Sequence, residues 1–163
     1  MPFVKTVNGL YWRVNFGYFA GGHTGVKVAT ADKIIFSSGI TVANTVSNLS
    51  QARYGLAGLS DKTVYGYFAG GYTGDYVTTA DRITFSTGAT AANTVSKLSQ
   101  SRRELAGLSD GSAYGYFAGG STGAANVATA DRIAFSTGAT AANTVSNLSS
   151  NKKTLAGLAD YAI

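Results

Sequence analysis

Apolar and polar residues alternate along this chain in short bursts that a helix of more than one turn cannot use. Gly or a β-branched residue interrupts every candidate helical window. Two-residue alternation instead predicts strands. In the middle of the chain, Arg53 to Leu59 and Val64 to Ala69 are expected to pair across Ser60-Asp61-Lys62. That is hairpin chemistry, because Asp can accept hydrogen bonds from its own backbone. A Gly-Gly pair ends the second strand. A third is expected from about Val77 to Ser86, with Ile83 and Phe85 on one face, and a Thr87-Gly88 turn leads to a fourth from about Thr90 to Leu98.

This pattern is written three times. GYFAGG occurs at Gly17 to Gly22, Gly66 to Gly71 and Gly115 to Gly120, each followed by Thr-Gly, by an Asp next to Lys or Arg, and by Phe-Ser. Asp32 to Asp81 is 49 positions and Asp81 to Asp131 is 50. A period near 50 residues is the mark of a repeat architecture whose units stack to bury their apolar faces. Four short strands per unit is the plan of a propeller blade. The units run over about 4–52, 53–101 and 102–151, within a single repeat domain of residues 1–163. The first opens on a degraded copy, since Tyr11-Trp12-Arg13 replaces the turn residues Ser60-Asp61-Lys62. At the other end, 152–163 repeats only a first strand, with Leu155 to Asp160 matching Leu105 to Asp110.

Composition narrows the class. Hydrophobic residues make up 45% and charged ones only 13%, which excludes a disordered chain and is low for a cytosolic enzyme. The net charge of +5 is scattered rather than clustered, so it describes a solvated surface and not a nucleic-acid footprint. Cysteine is absent, which removes disulfides and thiolate metal sites. The opening MPFVKTVNGLYWRV lacks the apolar core of a secretory signal, and no apolar run is long enough for a spanning helix. Neither a signal peptide nor membrane insertion is expected.

The repeat resembles the kelch repeat. Arg53 and Arg102 precede Leu56-Ala57-Gly58-Leu59 and Leu105-Ala106-Gly107-Leu108, the doublets are Gly21-Gly22, Gly70-Gly71 and Gly119-Gly120, and Phe36, Phe85 and Phe135 stand in the third strand. Val46, Val95 and Val145 take the place of the kelch Trp in the fourth. The wording of the repeat is also similar to tandem repeats of tail-associated and other structural proteins of bacteriophages. The resemblance implies an all-β, kelch-like propeller and a virion or extracellular surface setting.

Catalytic chemistry has little to work with. His23 is the only His and Glu104 the only Glu, which leaves no His-based triad, no zinc cluster and no carboxylate pair. Calcium-loop and phosphate-loop patterns are missing too, so no metal or cofactor is expected. Asp32, Asp81 and Asp131 are expected to satisfy a backbone or Arg group between blades. Variation concentrates in the loops after the doublets, where His23 and Lys27, then Tyr72, Asp75 and Tyr76, then Ser121 and Asn126 occupy matching stretches. Diversified loops on a repeated scaffold are a usual way to build a binding surface. Aromatic rings with polar tips suit sugars.

The sequence therefore predicts three four-stranded blades per chain, closed by homo-oligomerisation, in a non-enzymatic recognition module that binds surface glycans. The alternative is a purely structural virion or fibre component, or a protein-interaction propeller. Closure is expected to use the orphan strand of one subunit in blade one of the next, through Trp12, Leu155, Leu158, Tyr161 and Ile163. A dimer of six blades is favoured, with a trimer or fibre as alternatives.

Overall fold

Ser-Asp turns and glycine doublets set the lengths of the strands. The computed structural model describes residues 5–7, 10–12 and 15–160. Among these the chain is all-β, with three single-turn 3-10 segments and no α-helix. β1 (Lys5–Val7) and β2 (Leu10–Trp12) form a two-stranded hairpin. β3 (Phe16–His23), β4 (Lys27–Ile35) and β5 (Ile40–Ala43) make a three-stranded sheet. β6 (Ala57–Ser60), β7 (Tyr65–Ala69), β8 (Ala80–Thr84) and β9 (Ala89–Ala92) make the second repeat's sheet. β10 (Ala106–Ser109), β11 (Tyr114–Ala118), β12 (Ala130–Ala134) and β13 (Ala139–Ala142) make the third. Every sheet is an antiparallel meander, consistent with a propeller-like arrangement.

The turn between β6 and β7 is organised by one carboxylate. Asp61 Oδ1 accepts from the backbone N–H groups of Thr63, Val64 and Tyr65 at 2.8, 2.7 and 2.9 Å. Asp110 does the same for Ser112, Ala113 and Tyr114. No such residue stands in the first repeat, where Tyr11 and Trp12 continue as strand β2 instead. The expected first strand of blade one is thus not in its sheet, and that sheet has three strands rather than four.

The expected fourth strand, Thr90 to Leu98, is also cut short. After β9 the chain bends at Asn93 into the 3-10 turn Thr94–Ser96, where Asn93 Oδ1 accepts from Val95 N at 3.2 Å, and the same turn follows Asn44 and Asn143 without that bond. The turn carries Ser96 and Leu98 inward, and both are buried. Likewise Arg53 to Leu56 precedes β6 rather than belonging to it, because Gly55 takes the left-handed φ of 68° at the crossing between sheets.

Neighbouring repeats are joined by their doublets. Gly70 has φ +73°, and a Cβ there would lie 2.7 Å from the Arg102 carbonyl oxygen. Only glycine permits that approach. Gly71 N then donates to Arg102 O at 2.9 Å, as Gly22 N does to Arg53 O and Gly120 N to Lys152 O. Apolar packing follows the same seam, in a core of Ala57, Tyr67, Ala69, Leu98, Leu105, Phe117 and Ile133. Inside it, Arg53 and Arg102 pair with Asp81 and Asp131 at 2.8 Å, wholly buried. Burial pulls both guanidinium pKa values down, and the facing carboxylates oppose that shift.

Candidate functional site in the loops after the doublets

The stitching between repeats gathers the loops after the doublets along one seam. The residue after each buried arginine faces the residue after a doublet, since Tyr54 bridges Tyr72 and Arg103 bridges Ser121 in antiparallel fashion. Side chains at these positions form a run of rings. His23 lies edge-on to Tyr54 with centroids 5.2 Å apart, Tyr54 to Tyr72 at 5.6 Å, and Tyr72 to Tyr76 at 5.3 Å.

One cation holds the run together. The Arg103 guanidinium lies 5.4, 5.0 and 5.3 Å from the ring centroids of Tyr54, Tyr72 and Tyr76, and its Nη1 donates to the Tyr54 hydroxyl at 2.6 Å. Glu104 fixes the arginine from below, with Oε1 3.2 Å from Arg103 Nε and Oε2 3.3 Å from Lys153 Nζ. Lys27 reaches across from the first loop to within 5.9 Å of the Tyr72 ring centroid. The Tyr76 ring in turn rests on Gly123 of the third loop, where an added Cβ would meet its Cε2 at 2.6 Å. Three loops from three repeats therefore share one surface, and the rings stay half-exposed.

Of the residues expected at this surface, His23, Lys27, Tyr72 and Tyr76 come together. Asp75 and Asn126 are exposed on their loops, and Asn126 bridges Ser121. Ser121 is buried, its hydroxyl accepting from Gly123 N at 3.2 Å, so it shapes the third loop from inside. Tyr54 and Arg103 were not expected here, although Tyr, Arg and Lys at the matching positions 54, 103 and 153 vary as the loops do. Among residues assigned to oligomer closure, Leu155 packs beside Gly119, Leu158 is 92% exposed, and Trp12 is on β2. Tyr161 and Ile163 lie outside the described residues.

A cleft of about 390 Å³ opens at the turn ends of the second and third sheets, beside Asp61, Tyr114 and Phe135. Asp61 Oδ1 beside it is already taken by the turn. Among the described residues no helix is long and apolar enough to cross a membrane. No protein-family model matches the chain, and no curated protein matches it significantly.

Proposed function

We propose that the protein is a non-enzymatic recognition module, a kelch-like propeller of a phage-like particle or a cell surface, that binds surface glycans through the loops after its doublets. The observation that carries this reading is the Tyr54, Tyr72 and Tyr76 cluster around Arg103. A half-exposed ring offers an apolar face to the C–H side of a sugar, and its hydroxyl and the neighbouring guanidinium offer hydrogen bonds to the sugar's rim. Holding the rings against one another and against a cation removes rotamer freedom before the ligand arrives, which lowers the entropic cost of binding. The resemblance to kelch repeats and to structural proteins of bacteriophages supports the setting.

A purely architectural role is the second reading. Its support is that the same rings already satisfy one another and Arg103 without a ligand. A glycan array probed with the whole chain separates the two. Reproducible hits that share a sugar support recognition, and a blank array supports architecture.

A further inference from the structure

Among the described residues, several contacts that recur from one repeat to the next have an unfilled half on the first sheet and the complementary half on the third. Ser47 Oγ donates to Gly88 O at 2.6 Å and Ser96 Oγ to Gly138 O at 2.7 Å. The next serine in the series is Ser146, and the matching carbonyl is that of Gly39. Tyr18 stacks on Phe85 and Tyr67 on Phe135, each with centroids 6.1 Å apart. Tyr116 continues that series on the third sheet, and Phe36 on the first is 61% exposed.

The charged latch is divided in the same way. Asp81 and Asp131 each take an arginine and a backbone N–H, from Ser50 and Ser99 respectively. Their counterpart Asp32 is exposed and has no ion-pair partner among the described residues. Lys152, in register with Arg53 and Arg102, is also exposed. Glycines give the most direct sign. A Cβ at Gly71 would meet Tyr54 O at 3.0 Å and one at Gly120 would meet Arg103 O at 2.6 Å, yet at Gly22 no atom of the described residues lies within 4 Å. The chain that should cover Gly22 is a segment equivalent to 153–156.

We propose that the third sheet of one copy docks head-to-tail on the first sheet of a second copy, which supplies blade one with its fourth strand. The register follows from β6 on β7, where Ala57 faces Ala69, Gly58 faces Phe68, Leu59 faces Tyr67 and Ser60 faces Gly66. Ala156 to Ala159 of one copy then lie along Ala20 to Gly17 of the next, and Leu158 faces Tyr18. Lys152 reaches Asp32, and Lys153 arrives beside His23, where it extends the aromatic run. Opposite charge and a matched set of stacking and hydrogen-bonding groups select a second copy over an unrelated partner. Such a heterologous contact closes as a ring or continues as a filament, and two copies bring together six blade sheets, three from each. The proposal is independent of whether the loops bind a sugar.

The chain has no cysteine, so engineered disulfides report the docking cleanly. Residues directly opposite on antiparallel strands have Cα atoms about 4.5–5.5 Å apart, within the reach of a disulfide. Mixing Leu158→Cys and Tyr18→Cys copies under mild oxidation should give a covalent pair joining one of each. Light scattering on the unmodified chain should give at least twice its 16.7 kDa mass. Asp32→Lys and Lys152→Glu, both at exposed positions, should each weaken the assembly by about tenfold or more, and the combined variant should recover most of the loss. A folded monomer of unmodified chain at micromolar concentration overturns the proposal. So does an assembly whose disulfide fails to form and whose mass neither charge variant alters.

Discussion

Arg102 Nη2 lies 2.8 Å from Asp131 Oδ2 with both side chains at zero exposure, and Arg53 repeats the contact with Asp81. Each arginine also donates to a carbonyl of its own repeat, Phe117 O at 3.0 Å for Arg102 and Phe68 O at 3.2 Å for Arg53. The pair therefore ties the entry of a repeat to its second and third strands. Nε and Nη1 of both arginines are buried without a hydrogen-bond partner, so the carboxylate is what makes the buried cation tolerable.

Removing one member should cost more than removing both. Asp131→Asn or Arg102→Met leaves an uncompensated buried charge or its orphaned partner, and should destabilise the fold by about 3–5 kcal/mol in urea unfolding. Arg102→Met combined with Asp131→Leu should cost clearly less than the sum of the single changes. Asp32→Asn should leave the stability of a single chain unchanged, since that carboxylate is exposed.

That the recurring aspartates satisfy backbone or Arg groups is legible in the sequence for Asp81 and Asp131, whose backbone donors come from the preceding repeat but whose arginines belong to their own, while Asp32 makes no ion pair among the described residues. Strand order is legible too, since Ser-Asp turns and doublets punctuate it. Two things are not. Asn93 reads as one more polar residue in a strand, yet the strand ends there and a 3-10 turn begins, as it does after Asn44 and Asn143. Arg103 reads as half of a basic pair, yet Arg102 points into the core and Arg103 onto the tyrosines, because neighbours on extended backbone face opposite sides. The loop positions are visible as variation, but which rings meet depends on the seam between repeats, and no local pattern encodes that.

Two doublet glycines should respond unequally to the same substitution. At Gly70, alanine adds a Cβ 2.7 Å from Arg102 O as well as the strain of a positive φ. At Gly22 of a single chain it adds the strain alone, because no atom of the described residues lies within 4 Å. In thermal or urea unfolding of the isolated chain, Gly22→Ala should cost about 1–2 kcal/mol and Gly70→Ala distinctly more. Equal losses would mean that the close approach between repeats contributes nothing.

Acid should loosen the turn before β11. Slight burial raises the Asp110 pKa, but the N–H groups of Tyr114, Ser112 and Ala113 and the Ser112 hydroxyl outweigh it, and the carboxyl sits below its ordinary 3.8. A folded pKa below the unfolded one gives stability that is present above about pH 4 and lost as pH falls through the folded value. Asp110→Asn should therefore remove part of the pH dependence of unfolding below about pH 4 and leave the slope near neutrality unchanged. An identical acid limb in the variant and the parent chain would count against the carboxylate's role.

The aromatic seam makes the sharpest separation between recognition and architecture. Tyr72 and Tyr76 pack on Arg103 but are half-exposed, so truncating either should disturb the fold little. If a sugar stacks there, Tyr72→Ala and Tyr76→Ala should each weaken binding of an array-identified glycan by roughly 1 kcal/mol or more. Arg103→Ala removes the cation shared by three rings and the hydrogen bond to the Tyr54 hydroxyl, and should weaken binding by at least as much. Val64→Ala, at an exposed side chain in the turn of the second sheet and outside both the run of rings and the docking face, should not change the affinity. Calorimetric titration of the four variants with one glycan reads all of these. Retained binding in every tyrosine and arginine variant would move the sugar site elsewhere on the protein, and loss in all four alike would point to a ligand held by the assembled repeats rather than by these loops.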